Sequence, residues 1–221
     1  MTSIADNPIL DQPFRNMTIR SNKSSPKATR LAARSEIRRT EILRGLGLVL
    51  QERGLAGITM EEIAQKLGMT KGSLYYYFKD KDDLLYQCHL RCVEVSLRGL
   101  RQSQSSTLPP DVRLREVLIA HIRGITDEVY GAVILTDLES ISPQRRRRIV
   151  SMRDRFERGA REIIREGIEQ GVFKKVDVKI AGFAILGAIN WISKWYDPRG
   201  PLSSVEIAEQ FADFLVGALR A

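Results

Sequence analysis

The sequence predicts an all-α protein of about nine helices, a three-helix head with a helix-turn-helix followed by a larger helical domain. Three observations predict it. From Ser35 onward apolar residues recur at helical spacing. No segment alternates apolar and polar residues as a half-buried strand would. Proline and glycine punctuate the chain where helices should stop, at Gly54, Pro109-Pro110, Gly171 and Asp197-Pro-Arg-Gly-Pro201.

Residues 1–34 are rich in Ser, Asn, Pro and Thr with scattered basic residues, and read as a flexible basic arm. A first helix is expected from about Glu36 to Arg53, its stripe formed by Ile42, Leu46, Val49 and Leu50. Thr59-Met-Glu-Glu62 is a capping box that starts a short helix, with Ile63 and Leu67 facing inward. Gly68 supplies a turn, and Thr70 caps a second short helix. A long fourth helix starts from the N-cap Asp80 and fades near Gln102. Beyond it we expect helices near Val112–Tyr130, Val133–Ser140, Pro143–Gln170, Val178–Tyr196 and Ser203–Leu219. The domains then fall at 35–82 for the head and 83–221 for the body.

Two capped short helices around a glycine turn form a helix-turn-helix pattern. Stepping 100° per residue from Leu74 places Phe78 on the inward side and Gly72 and Tyr76 outward. Ser73 and Tyr75 flank them, Tyr77 lies nearer the core edge, and Lys71 sits in the first turn. An outward glycine suits a helix that another backbone must approach closely, as in a DNA major groove. The bland alternative is a compact helical subdomain whose tyrosines are packing residues.

The net charge of +8 and pI of about 9.7 favour an anionic partner. Yet Lys and Arg against Asp and Glu count six to two in residues 1–34, eight to eight in 35–85, and twenty-one to seventeen in the remainder. The head itself is neutral, so its case rests on where particular side chains point. Cys88 and Cys92 share a helix face and read as buried apolar groups, the rival being a metal or redox site with His89. No paired-histidine motif, phosphate loop or nucleophile context occurs in 86–221, which speaks against an enzyme and a bound cofactor. No apolar run reaches membrane-spanning length and the N-terminus has no apolar signal core, so a cytoplasmic protein without a membrane partner is expected.

The run Ile58-Thr-Met-Glu-Glu-Ile-Ala-Gln-Lys-Leu-Gly-Met-Thr-Lys-Gly-Ser-Leu-Tyr-Tyr-Tyr-Phe-Lys-Asp-Lys-Asp-Asp-Leu84 resembles the DNA-binding head of the tetracycline-repressor (TetR) family. The resemblance covers 35–85. It implies phosphate contacts at Thr59, Thr70, Tyr75, Tyr77 and Lys81, and base-edge or close backbone approach at Lys71, Gly72, Ser73 and Tyr76. The family often has His where Tyr77 stands. It also implies a homodimer on an inverted-repeat DNA operator, and a second domain that dimerises through its last two helices and encloses a small-molecule pocket. The N-terminal arm either adds DNA contacts or is a solvated tail.

The stretch Gly187-Ala-Ile-Asn-Trp-Ile-Ser-Lys-Trp-Tyr-Asp-Pro-Arg-Gly-Pro-Leu-Ser203, followed by Glu206-Ile-Ala208, resembles a subgroup repressing fatty-acid, aromatic-acid or steroid degradation and responding to acyl-CoA thioesters. Arg153-Asp-Arg-Phe-Glu157 fits the same subgroup. Asn190 and Lys194 share one helix face and Trp191 and Trp195 an adjacent one, so with Arg153 they are the candidate ligand residues. Alternatively, both tryptophans fill a dimer core. Arg145 to Arg148 splay around a helix end, either solvated or meeting the phosphates of an acyl-CoA. The rival effector class is the lipophilic cation of an efflux regulator, which predicts acidic residues in the pocket. A rival of another kind is a helical acyl-CoA-binding protein with no role on DNA.

Overall fold

The computed structural model describes residues 26–55, 57–127 and 138–221. They form eight α-helices: α1 (Pro26–Arg53), α2 (Met60–Lys66), α3 (Lys71–Tyr77), α4 (Lys81–Gln104), α5 (Pro110–Thr126), α6 (Pro143–Glu169), α7 (Val178–Trp195) and α8 (Ser204–Gly217), with a 3₁₀ turn at Leu138–Ser140. The predicted all-α class holds. An isolated antiparallel bridge between Phe173 and Arg220 is the one extended pairing among the described residues.

Helix α1 starts ten residues before the expected Glu36 and takes the end of the predicted flexible arm into a helix. The reason is local: Pro26 suits the first helical position, and Lys27 to Arg34 are mostly good helix formers with no apolar stripe to announce them. The rest of the arm, residues 1–25, lies outside the described residues, as do 128–137, where the end of one expected helix and most of another fell. By its packing the chain divides into Met1–Ser35 and Glu36–Ala221.

Within Glu36–Ala221 the core begins in the head. Ile42, Leu46, Val49 and Leu50 of α1 are buried with Ile63 and Ala64 of α2, Leu74 of α3, and Phe78. Burying one such side chain contributes roughly 1.5–3 kcal/mol. Helix α2 ends in a Schellman motif, with Gly68 at φ 63, the Gly68 N–H donating to the Gln65 carbonyl and the Met69 N–H to the Ala64 carbonyl. That turn sets α3 across α2. In the body α5 is central, packed on α4, α6, α7 and α8, and Leu114, Val117, Leu118 and Ile122 are fully buried along it. Helix α6 buries Ile149, Phe156, Ile163 and Ile164, and α7 buries Ile185, Ile189 and Ile192.

Candidate nucleic-acid interface and ligand cavity

The two caps of the head form as the spacing predicts. Thr59 Oγ1 accepts from the Glu62 N–H at 3.2 Å, and Glu62 Oε2 accepts from the Thr59 N–H at 2.8 Å. Those hydrogen bonds from Thr59, backbone first and then hydroxyl, hold the Glu62 carboxyl below its usual range. At α3, Thr70 Oγ1 accepts from the Ser73 N–H at 3.1 Å and lies 2.8 Å from Ser73 Oγ. Leu74 and Phe78 anchor the inner side of α3, while Tyr76 is 77% exposed. Tyr75 is also exposed, and a Cβ built on Gly72 would meet nothing within 4 Å. Lys71 is exposed and pairs with Glu61 at 3.1 Å. Tyr77 packs against the core with its ring edge-on to Tyr76, the centroids 5.0 Å apart.

Lys81 differs from the rest. Its ammonium donates to the Ile58 carbonyl at 2.7 Å and to the Leu55 carbonyl at 3.2 Å. Two of its three N–H donors are therefore committed within the head. Arg38 of α1, not singled out from the sequence, lines an open concavity beside α3 with Thr70, Gly72, Ser73 and Tyr76. Nothing in the local pattern of α1 marks it, because the concavity is made by helix crossing.

Helices α4, α5, α6 and α7 enclose a cavity of about 400 Å³. Cys92, Val93 and Ser96 line it from α4, His121 and Ile125 from α5, Arg153, Phe156 and Glu157 from α6, and Phe183, Leu186, Gly187 and Asn190 from α7. Of the expected ligand residues, Arg153 and Asn190 are brought together there. Trp191, Lys194 and Trp195 are exposed and do not line it. Lys194 continues the stripe of Phe183, Gly187 and Asn190 but sits one turn, about 5 Å, further along α7. Trp191 is 65% exposed, and Trp195 stacks on Phe211 with centroids 5.9 Å apart.

Ser96, His121 and Phe156 were missed from sequence because they come from three helices that only tertiary packing brings together. Ser96 Oγ lies 3.0 Å from the Cys92 carbonyl and 2.7 Å from His121 Nδ1. The His121 ring stacks on Phe156 at 4.5 Å. Burial, then the neighbouring Arg153 charge, pushes the His121 pKa down to about 4, so the ring is neutral at pH 7. Arg153 is half-buried, with Nη2 3.3 Å from His89 Nδ1, and among the described residues no carboxylate pairs with it. Glu157, the acid in the lining, is paired instead with Arg161, whose guanidinium lies over the Phe183 ring at 4.8 Å. Both cysteines are buried, and burial raises the Cys88 thiol well above its ordinary value.

Two further surfaces bear on function. Ile180, Phe183, Trp191 and Trp195 of α7 and Val205 and Phe214 of α8 are large apolar side chains left exposed. At the other end of the body, Arg145 in the first turn of α6 reaches Asp82 at 2.8 Å, Asp83 at 3.1 Å and Asp80 at 3.8 Å, and lies over the Tyr86 ring at 5.1 Å. The Ser142 N–H donates to Asp82 at 2.5 Å. The arginine run is thus not uniformly solvated, since Arg145 ties α6 to the start of α4.

A capped helix pair with an outward-facing second helix, followed by a helical body around a cavity, is the architecture of a helix-turn-helix regulator with a second helical domain. Residues 48–88 match the bacterial regulatory proteins of the tetR family, and residues 107–219 match the tetracyclin repressor-like C-terminal domain. The chain belongs to the TetR family, whose members are transcriptional regulators and not enzymes. It is 27% identical over 194 residues to the HTH-type transcriptional repressor KstR2 of Mycobacterium tuberculosis, covering 86% of this chain and 96% of that one. Among solved structures it is similar to the TetR-family regulator PfmR of Thermus thermophilus, at 32% identity and TM-score 0.69 over 80% of this chain and 97% of that one. It is also similar to AibR, solved in complex with isovaleryl coenzyme A and operator DNA, at 27% identity and TM-score 0.66 over 83% and 98% of the two chains. No described helix is long and apolar enough to cross a membrane.

Proposed function

We propose that the protein is a cytoplasmic homodimeric repressor that reads an inverted-repeat operator through α3 and is released by an acyl-CoA thioester held in the α4–α7 cavity. The observation that carries the DNA reading is the outer side of α3, where Gly72 and Tyr76 stand clear of the core while Leu74 and Phe78 fix the helix from within. Lys71, Gly72, Ser73 and Tyr76 approach base edges, and Thr59, Thr70, Tyr75, Tyr77 and the added Arg38 meet phosphates. Lys81 is assigned to holding the turn before α2, since its donors already serve Leu55 and Ile58. In this division residues 35–82 read DNA and residues 83–221 bind ligand and dimerise.

The large apolar side chains left exposed on α7 and α8 support dimerisation, because two tryptophans and two phenylalanines among them are costly to leave in water. Their exposure also favours the dimer-surface reading of Trp191 and Trp195 over the tunnel reading. The acyl-CoA reading is supported by the similarity to AibR, solved with isovaleryl coenzyme A, and by the cavity's apolar walls. An efflux-type sensor of lipophilic cations would want an unpaired acid there, whereas Glu157 is neutralised by Arg161.

Release follows from linkage. A ligand that stabilises one placement of α4 and α6 disfavours the head spacing that DNA requires, and each ligand weakens the other by the same factor. The Arg145 clamp supports α6 as a transmitter: it grips the start of α4, and two turns further on α6 presents Arg153 to the cavity. Operator affinity measured with and without acyl-CoAs of graded chain length tests the proposal. A fall in affinity with one chain class is expected, whereas an affinity unmoved at every length removes the acyl-CoA effector and leaves the repressor.

A further inference from the structure

We infer that the portion of the effector held in the cavity carries its own carboxylate, bound by Arg153, so that the preferred acyl group is a carboxyacyl group and not a plain alkanoyl chain. The inference rests on the reading of the cavity as the effector site and names the chemistry that site selects.

A half-buried guanidinium loses hydration and ordinarily recovers it from a carboxylate. Arg153 has no such partner among the described residues, and its neighbour is a histidine nitrogen, His89 Nδ1, at 3.3 Å. The acid that could have answered it, Glu157, is one turn along the same helix but committed to Arg161. Burial lowers the Arg153 pKa, the direction expected of a cation whose surroundings do not repay its desolvation. The other polar groups facing the cavity among the described residues, Ser96, His121 and Asn190, are uncharged at pH 7 and leave the Arg153 charge unanswered.

A thioester carbonyl is a neutral acceptor and would not balance that charge. A carboxylate would, and it can take two parallel N–H bonds from the guanidinium fork. The cavity, at about 400 Å³, lies near the small end of ligand pockets. It therefore suits the acyl portion, with the nucleotide outside.

The test compares thioesters matched in chain length, adipyl-CoA against hexanoyl-CoA, together with free adipate, by calorimetric titration of the full chain. Adipyl-CoA is expected to bind about tenfold or more tighter than hexanoyl-CoA, the size of effect of a charge-assisted hydrogen bond. Arg153→Met should abolish that preference, so that adipyl-CoA binds no tighter than hexanoyl-CoA, and Arg153→Lys should restore part of it. Equal or tighter binding of hexanoyl-CoA by the unmodified protein overturns the inference and leaves the acyl-CoA reading intact. Binding of adipate in an Arg153-dependent manner with neither thioester bound upholds the carboxylate site and overturns the acyl-CoA reading. Failure of all three probes overturns both.

Discussion

Replacing Lys81 by Met separates a structural lysine from a phosphate-binding one. The ammonium donates to two carbonyls, Ile58 at 2.7 Å and Leu55 at 3.2 Å, in a partly buried setting. A charge-assisted hydrogen bond contributes about 1.5–3 kcal/mol when well enclosed, and partial exposure reduces the pair to a total of about 2 kcal/mol. For a chain of this size that corresponds to a fall in melting temperature of about 4–8 °C. Met preserves the apolar stem, so the loss isolates the ammonium. Two measurements on the variant suffice: thermal unfolding, and the salt dependence of DNA affinity. A lysine on a phosphate in each protomer would contribute about 0.9 to the slope of log affinity against log salt, or about 2 for a dimer. The clamp predicts a lowered melting temperature with an unchanged slope. An unchanged melting temperature with the slope reduced by about 2 would refute the assignment and return Lys81 to the phosphate contacts.

Gly72→Val should leave folding intact or slightly improved, since its Cβ meets nothing within 4 Å and Gly is a poor helix former, yet weaken DNA binding by about tenfold or more in a mobility-shift titration. Arg145→Met removes the ties to Asp80, Asp82 and Asp83. Ligand affinity should be little changed, while the factor by which ligand weakens DNA binding should shrink about five- to tenfold, corresponding to a coupling of about 1 kcal/mol. His121 supplies a pH signature. Its folded pKa, near 4, lies below the unfolded value of about 6.5, so the unfolded chain takes up the proton first as pH falls. The stability tied to the neutral ring is present in full above about pH 6.5 and is lost progressively down to about pH 4, up to about 3 kcal/mol. In urea unfolding at pH 7 and pH 4.5, His121→Gln should lose correspondingly less stability between the two pH values than the unmodified protein does.

The reading head was legible because its signals are local. Thr59 with Glu62 and Thr70 with Ser73 lie within one helical turn of each other, and stepping from Leu74 gave the outward side of α3 without knowledge of the rest of the fold. The start of α1 was not, because a solvated basic helix and a basic arm share a composition and differ only in hydrogen bonding along the backbone. Lys81 makes contacts that no local pattern announces, since the carbonyls it reaches lie 23 and 26 residues away in sequence. The tryptophans of α7 illustrate a second limit. Spacing alone put Asn190, Trp191, Lys194 and Trp195 on neighbouring faces, and only the placement of α4, α5 and α6 decides which face looks into a cavity and which looks out. The same dependence hid Ser96 and His121, whose pairing crosses 25 residues.

The central claim, that α3 reads DNA as half of a symmetric pair, is tested most directly by selecting bound duplexes from a randomised pool with the full chain and with Tyr76→Ala. An inverted repeat whose half-site centres lie about one helical turn, roughly 34–36 Å, apart is expected to be enriched, with the enrichment lost in the variant. No enriched sequence from the unmodified protein, or the same repeat enriched equally well by Tyr76→Ala, would contradict it.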